Sequence, residues 1–150
     1  MKIVINKCFG GFSLSNLAKK RIAELQGKEC YFFKSKYLSQ QNIYEEVDIN
    51  NTSISVTAFS VKDPNKFLDD NSNWTSKTIG EKAILNKKYN DIHINDFSND
   101  RTNPLLIQVI TELGEKANSY CSELEIIEIP DNIEWIIEEY DGMESVHEVH

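Results

Sequence analysis

No apolar run in this chain approaches the roughly 18 residues that cross a bilayer, and its first residues lack the long apolar core and small-residue cleavage site of a secretory leader. Cysteine is scarce: Cys8, Cys30 and Cys121 are odd in number and show no CxxC spacing. That excludes a disulfide framework and points to free thiols in a reducing cytoplasm. With three prolines and six glycines the chain is no low-complexity or collagen-like polymer. Phosphate-binding and zinc signatures are missing too, for there is no GxxxxGK[ST], GxGxxG or HExxH. Positive charge is absent from residues 131–150, which carry seven acids and no Lys or Arg.

What is present is enough for one core. The 150 residues are 40% hydrophobic and 10% aromatic, with a net charge of −8, so a single globular domain spanning 1–150 is expected. Its stretch from about 34 to 95 is rich in loops. Residues 1–38 hold eight Lys or Arg against Glu24 and Glu29, a basic start to set against the acidic end. Too few cations cluster for duplex nucleic acid.

The pattern reads as α+β: a mainly antiparallel sheet with two principal helices packed on it, ending in a C-terminal β-hairpin. Residues 2–7, "KIVINK", form a buried strand that Gly10 and Gly11 end. Leu14, Leu17, Ala18, Ile22 and Leu25 then recur at helical spacing, with Ser13 or Ser15 as cap and Gly27 as terminator. "CYFF" at 30–33, "SISVTAFSV" at 53–61 and "DIHIN" at 91–95 read as strands, and 78–85 as a short helix. Trp74 is expected to anchor this middle region. Asn103 caps a second strong helix with Pro104 at its first position and an apolar stripe of Leu106, Val109, Ile110, Leu113 and Ala117. Residues 124–129 and 133–139 read as strands around a turn at Pro130, Asp131 and Asn132, with Trp135 as core. Asp141 and Gly142 signal a further hairpin turn, returning 143–150 as an edge strand.

The junction "KCFGGFSLSN" has the ingredients of an anion site: a glycine turn before a helix whose first N–H groups lack partners. The candidate ligand residues are Lys7, Phe9, Gly10, Gly11, Phe12, Ser13 and Ser15, joined by the chain's two arginines, Arg21 and Arg101. Phosphate would take the amides and guanidinium forks, and an aromatic ring would stack a base. Against this stands a plain reading, in which the glycines turn a corner and the arginines pair with carboxylates. "HEVH" puts His147 and His150 three apart, on opposite faces of a strand, so no metal and no cofactor is expected. Cys8 or Cys121 with His93 has no spacing that suggests nucleophilic catalysis.

The blocks "MKIVINKCFGGFSLS", "RTNPLLIQVITELGEKAN" and "LEIIEIPDNIEWIIEEYDGMESVHEVH" together resemble a family of small uncharacterised proteins encoded by bacteriophages and prophages. The resemblance covers about half the chain and leaves 34–95 unmatched. It implies a viral accessory protein in the bacterial host cytoplasm, an origin and not an activity; a non-enzymatic role is expected ahead of an enzymatic one. Its expected role is anti-defence: sequestering a small nucleotide-like signal, in a pocket that a homo-oligomer could share. The alternatives are a protein-directed inhibitor or scaffold engaging a host protein through the acidic C-terminal hairpin, and a metal-assisted hydrolase using His147 and His150.

Overall fold

The structure is a computed structural model that describes residues 1–39, 41–48, 56–68 and 74–149. The chain packs as two compact units. One is built from Met1–Leu25 and Asp96–His150, the other from Gln26–Asn95 between them.

In the first unit, β1 (Lys2–Asn6) pairs antiparallel with β5 (Leu124–Glu128), Val4 opposite Ile126. Ile3, Val4, Ile5 and Asn6 are fully buried. A strand buried on both faces reads as an unbroken apolar run, as "IVI" does. Helix α1 (Asn16–Leu25) buries Ala18, Ile22 and Ala23. Its cap is Ser15, whose Oγ accepts from the Ala18 N–H (3.1 Å). Ser13 is employed elsewhere. Leu17, counted in the helical stripe, is exposed. Helix α4 (Pro104–Leu113) begins as its sequence requires: Asn103 Oδ1 accepts from the Leu105 N–H and Pro104 sits in the first turn. Leu106, Val109 and Ile110 are its buried face, and Ala117 is buried in the 3₁₀ turn that follows, Gly114–Ala117. β6 (Trp135–Tyr140) and β7 (Met143–Glu148) close the unit as a hairpin. Asp141 (φ 53°) and Gly142 (φ 92°) form its two-residue turn, the positive-φ pair that matches strand twist.

The second unit holds β2 (Tyr31–Leu38) between β3 (Gln41–Glu46) and β4 (Thr57–Phe59). Its other elements are the short α2 (Pro64–Phe67), a 3₁₀ turn at Trp74–Ser76 and α3 (Ile79–Ile92). Phe33, Phe59, Leu68 and Ile92 make its core, with Tyr44 edge-on to Phe59 at 4.9 Å. Thr78 and Glu81 form a reciprocal capping box at the start of α3.

The α+β class, the antiparallel pairing and the C-terminal hairpin are all present. Among the described residues the pairing is divided among three small sheets, β1-β5, β3-β2-β4 and β6-β7. Several expectations need correction. The strands flanking Pro130 do not pair with each other: β5 turns to β1, and β6 to β7. A two-residue positive-φ turn closes a hairpin better than the longer Pro130–Asn132 corner. "DIHIN" is no strand: Leu85, Tyr89 and Ile92 fall on one helical face, so α3 runs on through Ile92, and His93 keeps an isolated bridge to Phe59. Trp74 is exposed and lies under the Lys82 ammonium at 5.4 Å, not in a core. Trp135 is only half-buried. Of the strand expected over 53–61, residues 57–59 form β4, while 53–55 lie outside the described residues. No helix among the described residues is long and apolar enough to cross a membrane.

Two glycines of the first unit sit where no side chain fits. A Cβ on Gly10 would overlap the Cys121 carbonyl, and one on Gly142 would meet the Phe9 carbonyl and, at 2.5 Å, the Gly11 nitrogen. Gly27 also has positive φ (70°), yet a Cβ there meets open space. Gly142→Ala therefore combines left-handed strain with overpacking, about 2–5 kcal/mol together. Gly27→Ala carries the strain alone, about 1–2 kcal/mol. Urea denaturation of both variants measures the difference, and equal losses would mean that the backbone contact is unimportant.

Candidate functional site

Among the described residues, β1 has one paired edge and one edge without a strand. Lys7 N–H donates to the Glu123 carbonyl (2.7 Å) and Ile129 N–H to that of Met1 (2.9 Å). Alternation then turns the backbone groups of Ile3 and Ile5 toward β5, and those of Val4 and Asn6 away. Those outward groups are buried, and a buried backbone group without a partner costs about 1–3 kcal/mol. Two residues far along the chain supply the partners. Val4 N–H donates to the Arg101 carbonyl (3.0 Å), and the Val4 carbonyl accepts from Arg101 Nη1 (3.3 Å). Asn6 N–H donates to Glu144 Oε1 (2.8 Å).

Arg101 and Glu144 are themselves joined fork to fork, Nη1–Oε1 at 2.7 Å and Nη2–Oε2 at 2.9 Å. Their side chains are 10% and 7% exposed. Arg101 Nε donates to the Ser98 carbonyl (2.7 Å), and the guanidinium lies 3.7 Å above the Phe12 ring. The loop before Arg101 is shaped by Phe97, a buried aromatic held at φ 58°, where a bulky side chain is uncommon.

Asn6 is the second knot. Its Nδ2 donates to the carbonyls of Cys8 (2.7 Å) and Gly142 (2.8 Å), and its Oδ1 accepts from the Glu123 N–H (2.9 Å). A fully buried asparagine with this many partners fastens three backbone segments where Gly10 and Gly142 let them touch.

The nine candidate ligand residues are placed as follows. Lys7 and Phe9 are exposed, Phe9 at 61%. Gly10 and Gly11 (φ 88°) form the corner packed on Cys121 and Gly142. Phe12 lies under Arg101. Ser13 Oγ contacts Ser119 Oγ (2.5 Å) and Cys121 Sγ (3.5 Å), and Ser15 caps α1. Arg21 pairs with Glu112 (2.8 Å) and Glu24 (3.4 Å). Phe12 and Arg101 are thus brought together, while the two guanidinium groups serve different carboxylates. Hydrogen bonds from the Ser119 and Ser13 hydroxyls hold the Cys121 thiol below its ordinary pKa. His93 stacks on Tyr89 (4.9 Å) in the other unit.

Sequence reasoning missed Asn6 and Glu144. The signal available for Asn6 was a polar residue ending an otherwise buried strand. Glu144 lay hidden in a run of acids.

The hairpin's outer face is different in character. Ile136, Glu138 and Tyr140 alternate along β6, and Ser145 and His147 face them from β7. Tyr140 is 79% and Ile136 47% exposed. His147 Nε2 contacts Glu138 (3.3 Å) and Ser145 Oγ (2.8 Å). From residue 117 onward there are ten acids and no Lys or Arg. All but Glu144 are exposed. Among the described residues no group of three or more His, Cys, Asp or Glu is placed to hold a metal, and His150 lies outside them. Unit two has a cavity of about 260 Å³ lined by Gln41, Asn42, Ile43, Asn65 and Leu68, none of them among the nine candidates.

Compared with protein-family models, curated proteins and solved structures, the chain matches none.

Two predictions follow from these contacts. Arg101→Ala or Glu144→Ala leaves a buried charge unpaired and should cost about 3–5 kcal/mol. An ordinary buried pair can be replaced by apolar residues with little loss. Here Arg101→Met with Glu144→Leu should still cost about 2–6 kcal/mol, because the Val4 carbonyl and Asn6 N–H lose their partners; a neutral double variant in chemical denaturation would contradict this. The second concerns acid. Hydrogen bonds from Arg21, then Gln108, lower the Glu112 carboxyl from 4.5 to about 2. A depressed carboxyl stabilises the fold above its ordinary pKa, and that contribution is lost as pH falls toward 2. Glu112→Gln should flatten that part of a stability–pH profile, and an unchanged acid limb would remove Glu112 from the account.

Proposed function

We propose that the protein is a non-enzymatic accessory protein of phage origin that acts by docking a host protein on its acidic C-terminal hairpin. The observation that carries this reading is the combination of a firmly held inner face and an open outer one. Glu144 and Gly142 fasten the hairpin to β1, while Ile136 and Tyr140 stand exposed among acids. Scattered apolar residues on a surface need no explanation. An exposed tyrosine and isoleucine on one face of a tethered hairpin, with the Glu138 carboxylate between them, make a recognition surface.

Nucleotide sequestration draws less support. Phosphate would need free guanidinium forks, yet Arg101 and Arg21 are engaged by carboxylates, and Gly10 is backed by the Cys121 carbonyl.

The test is capture from lysate of the bacterial host at moderate salt, comparing the native protein with Glu138→Lys/Glu139→Lys. Glu144 is left untouched because it holds the fold. A defined partner retained by the native protein and lost by the variant is the expected result, with unfolding still cooperative and weakened by no more than the about 0.5–1.5 kcal/mol of the Gly142 N–H to Glu139 hydrogen bond that the variant gives up. No capture, together with calorimetric binding of cyclic nucleotides or ADP-ribose derivatives, would reverse the order of the two readings.

A further inference from the structure

β6 has a partner on one side only. Val149 N–H donates to the Glu134 carbonyl (2.8 Å). Counting from that pair, antiparallel alternation turns the backbone groups of Ile136, Glu138 and Tyr140 toward β7, and those of Trp135, Ile137 and Glu139 away from it. Among the described residues no strand lies along this second edge. Three successive outward residues therefore present N–H and C=O groups in the spacing of an incoming strand.

We propose that this edge of β6 takes an extended basic segment of a partner protein as a third strand. The inference rests on the docking reading above and gives it a mode and a ligand chemistry. Edge pairing supplies affinity through main-chain hydrogen bonds, and alternate side chains supply selectivity. The side chains of β6 suit this. Trp135 and Ile137 offer half-buried apolar contact on one face, and Ile136 and Tyr140 exposed contact on the other. Glu134, Glu138 and Glu139 supply charge along the same strand. From residue 117 onward there is no Lys or Arg, and among the described residues His147, 3.3 Å from Glu138, is the basic side chain a partner's lysine or arginine would displace.

The charge also selects against the simplest alternative, a second copy of this chain. Two β6 strands paired antiparallel would place the three glutamates of each copy in one short ladder, and like charges there are destabilising. An isolated edge of this kind invites self-association unless charge blocks it. The same glutamates that prevent self-pairing would welcome lysine or arginine.

The probe is a fluorescein-labelled peptide of alternating Lys and Val, about ten residues long so that it overhangs a strand of ordinary length. Two companions share its length: one N-methylated at alternate residues, which keeps the charge and removes the pairing edge, and one with Glu in place of Lys. Fluorescence anisotropy with the full chain should show the Lys/Val peptide binding about ten-fold or more tighter than its N-methylated form, as a few net main-chain hydrogen bonds would give. The Glu/Val peptide should not bind. Glu139→Pro should weaken binding relative to Glu139→Gln, since both remove the charge and only proline removes the outward N–H. Amide exchange at Trp135, Ile137 and Glu139 should slow when the peptide is bound.

Equal affinity for the methylated and unmodified peptides would overturn edge pairing, as would no binding at all. So would a dimer in sedimentation that protects those three amides without peptide. If host capture still depends on Glu138 and Glu139 in any of these cases, docking stands and its edge-pairing mode falls. If capture is lost as well, docking falls with it.

Discussion

An arginine and a glutamate 43 positions apart take the place that a third strand would fill beside β1. Their fork-to-fork contact would by itself say little about stability, because desolvating two charges offsets most of what their attraction returns. What gives the pair its importance is the backbone it serves. Val4 and Asn6 are buried, and the Val4 N–H, the Val4 carbonyl and the Asn6 N–H find their partners in the Arg101 carbonyl, the Arg101 guanidinium and the Glu144 carboxylate. β7 runs alongside β1 without sharing a ladder with it. A side-chain bridge thus does work that a ladder does elsewhere, and it carries the hairpin with it.

The glycines follow from the same constraint. Once Glu144 is fixed against Asn6, the turn at Gly142 is driven into the turn at Phe9–Gly11, and the Asn6 amide group hydrogen-bonds both sides. Side chains at Gly10 or Gly142 would hold these backbones apart. A strand, a double glycine and a capped helix look like a phosphate cradle in sequence because both uses ask for the same freedom of approach. In this chain what approaches is other backbone.

Much of the fold was legible. Asn103 and Pro104 marked the start of α4, Gly27 the end of α1, and Asp141 with Gly142 the closing hairpin, since each rests on local chemistry: a cap, a ring-fixed φ, a positive-φ turn. The errors arose where pairing is not local. Residues 124–129 and 133–139 looked like neighbours because they are adjacent in sequence, but the buried run of β1 needed a partner and took the first of them. "DIHIN" alternates like a strand over five residues, too short a window to outweigh the helical spacing of Leu85, Tyr89 and Ile92. Arg21 and Arg101 were recognisable as forks; that Glu112 and Glu144 would fill them was not, because acids crowd the sequence and spacing does not say which one folds back.

Glu144 and Gly142 tie the inner face of the hairpin to β1, so the docking we propose falls to the outer face and edge of β6. All of this depends on the Arg101–Glu144 bridge behaving as part of the sheet. Native-state hydrogen exchange of the β1 amides tests that most directly. The account predicts that Val4 and Asn6, which face the bridge, exchange only through cooperative unfolding, as slowly as Ile3 and Ile5, which face β5. Rapid exchange at Val4 and Asn6 beside protected Ile3 and Ile5 would show an ordinary frayed edge, and would contradict it.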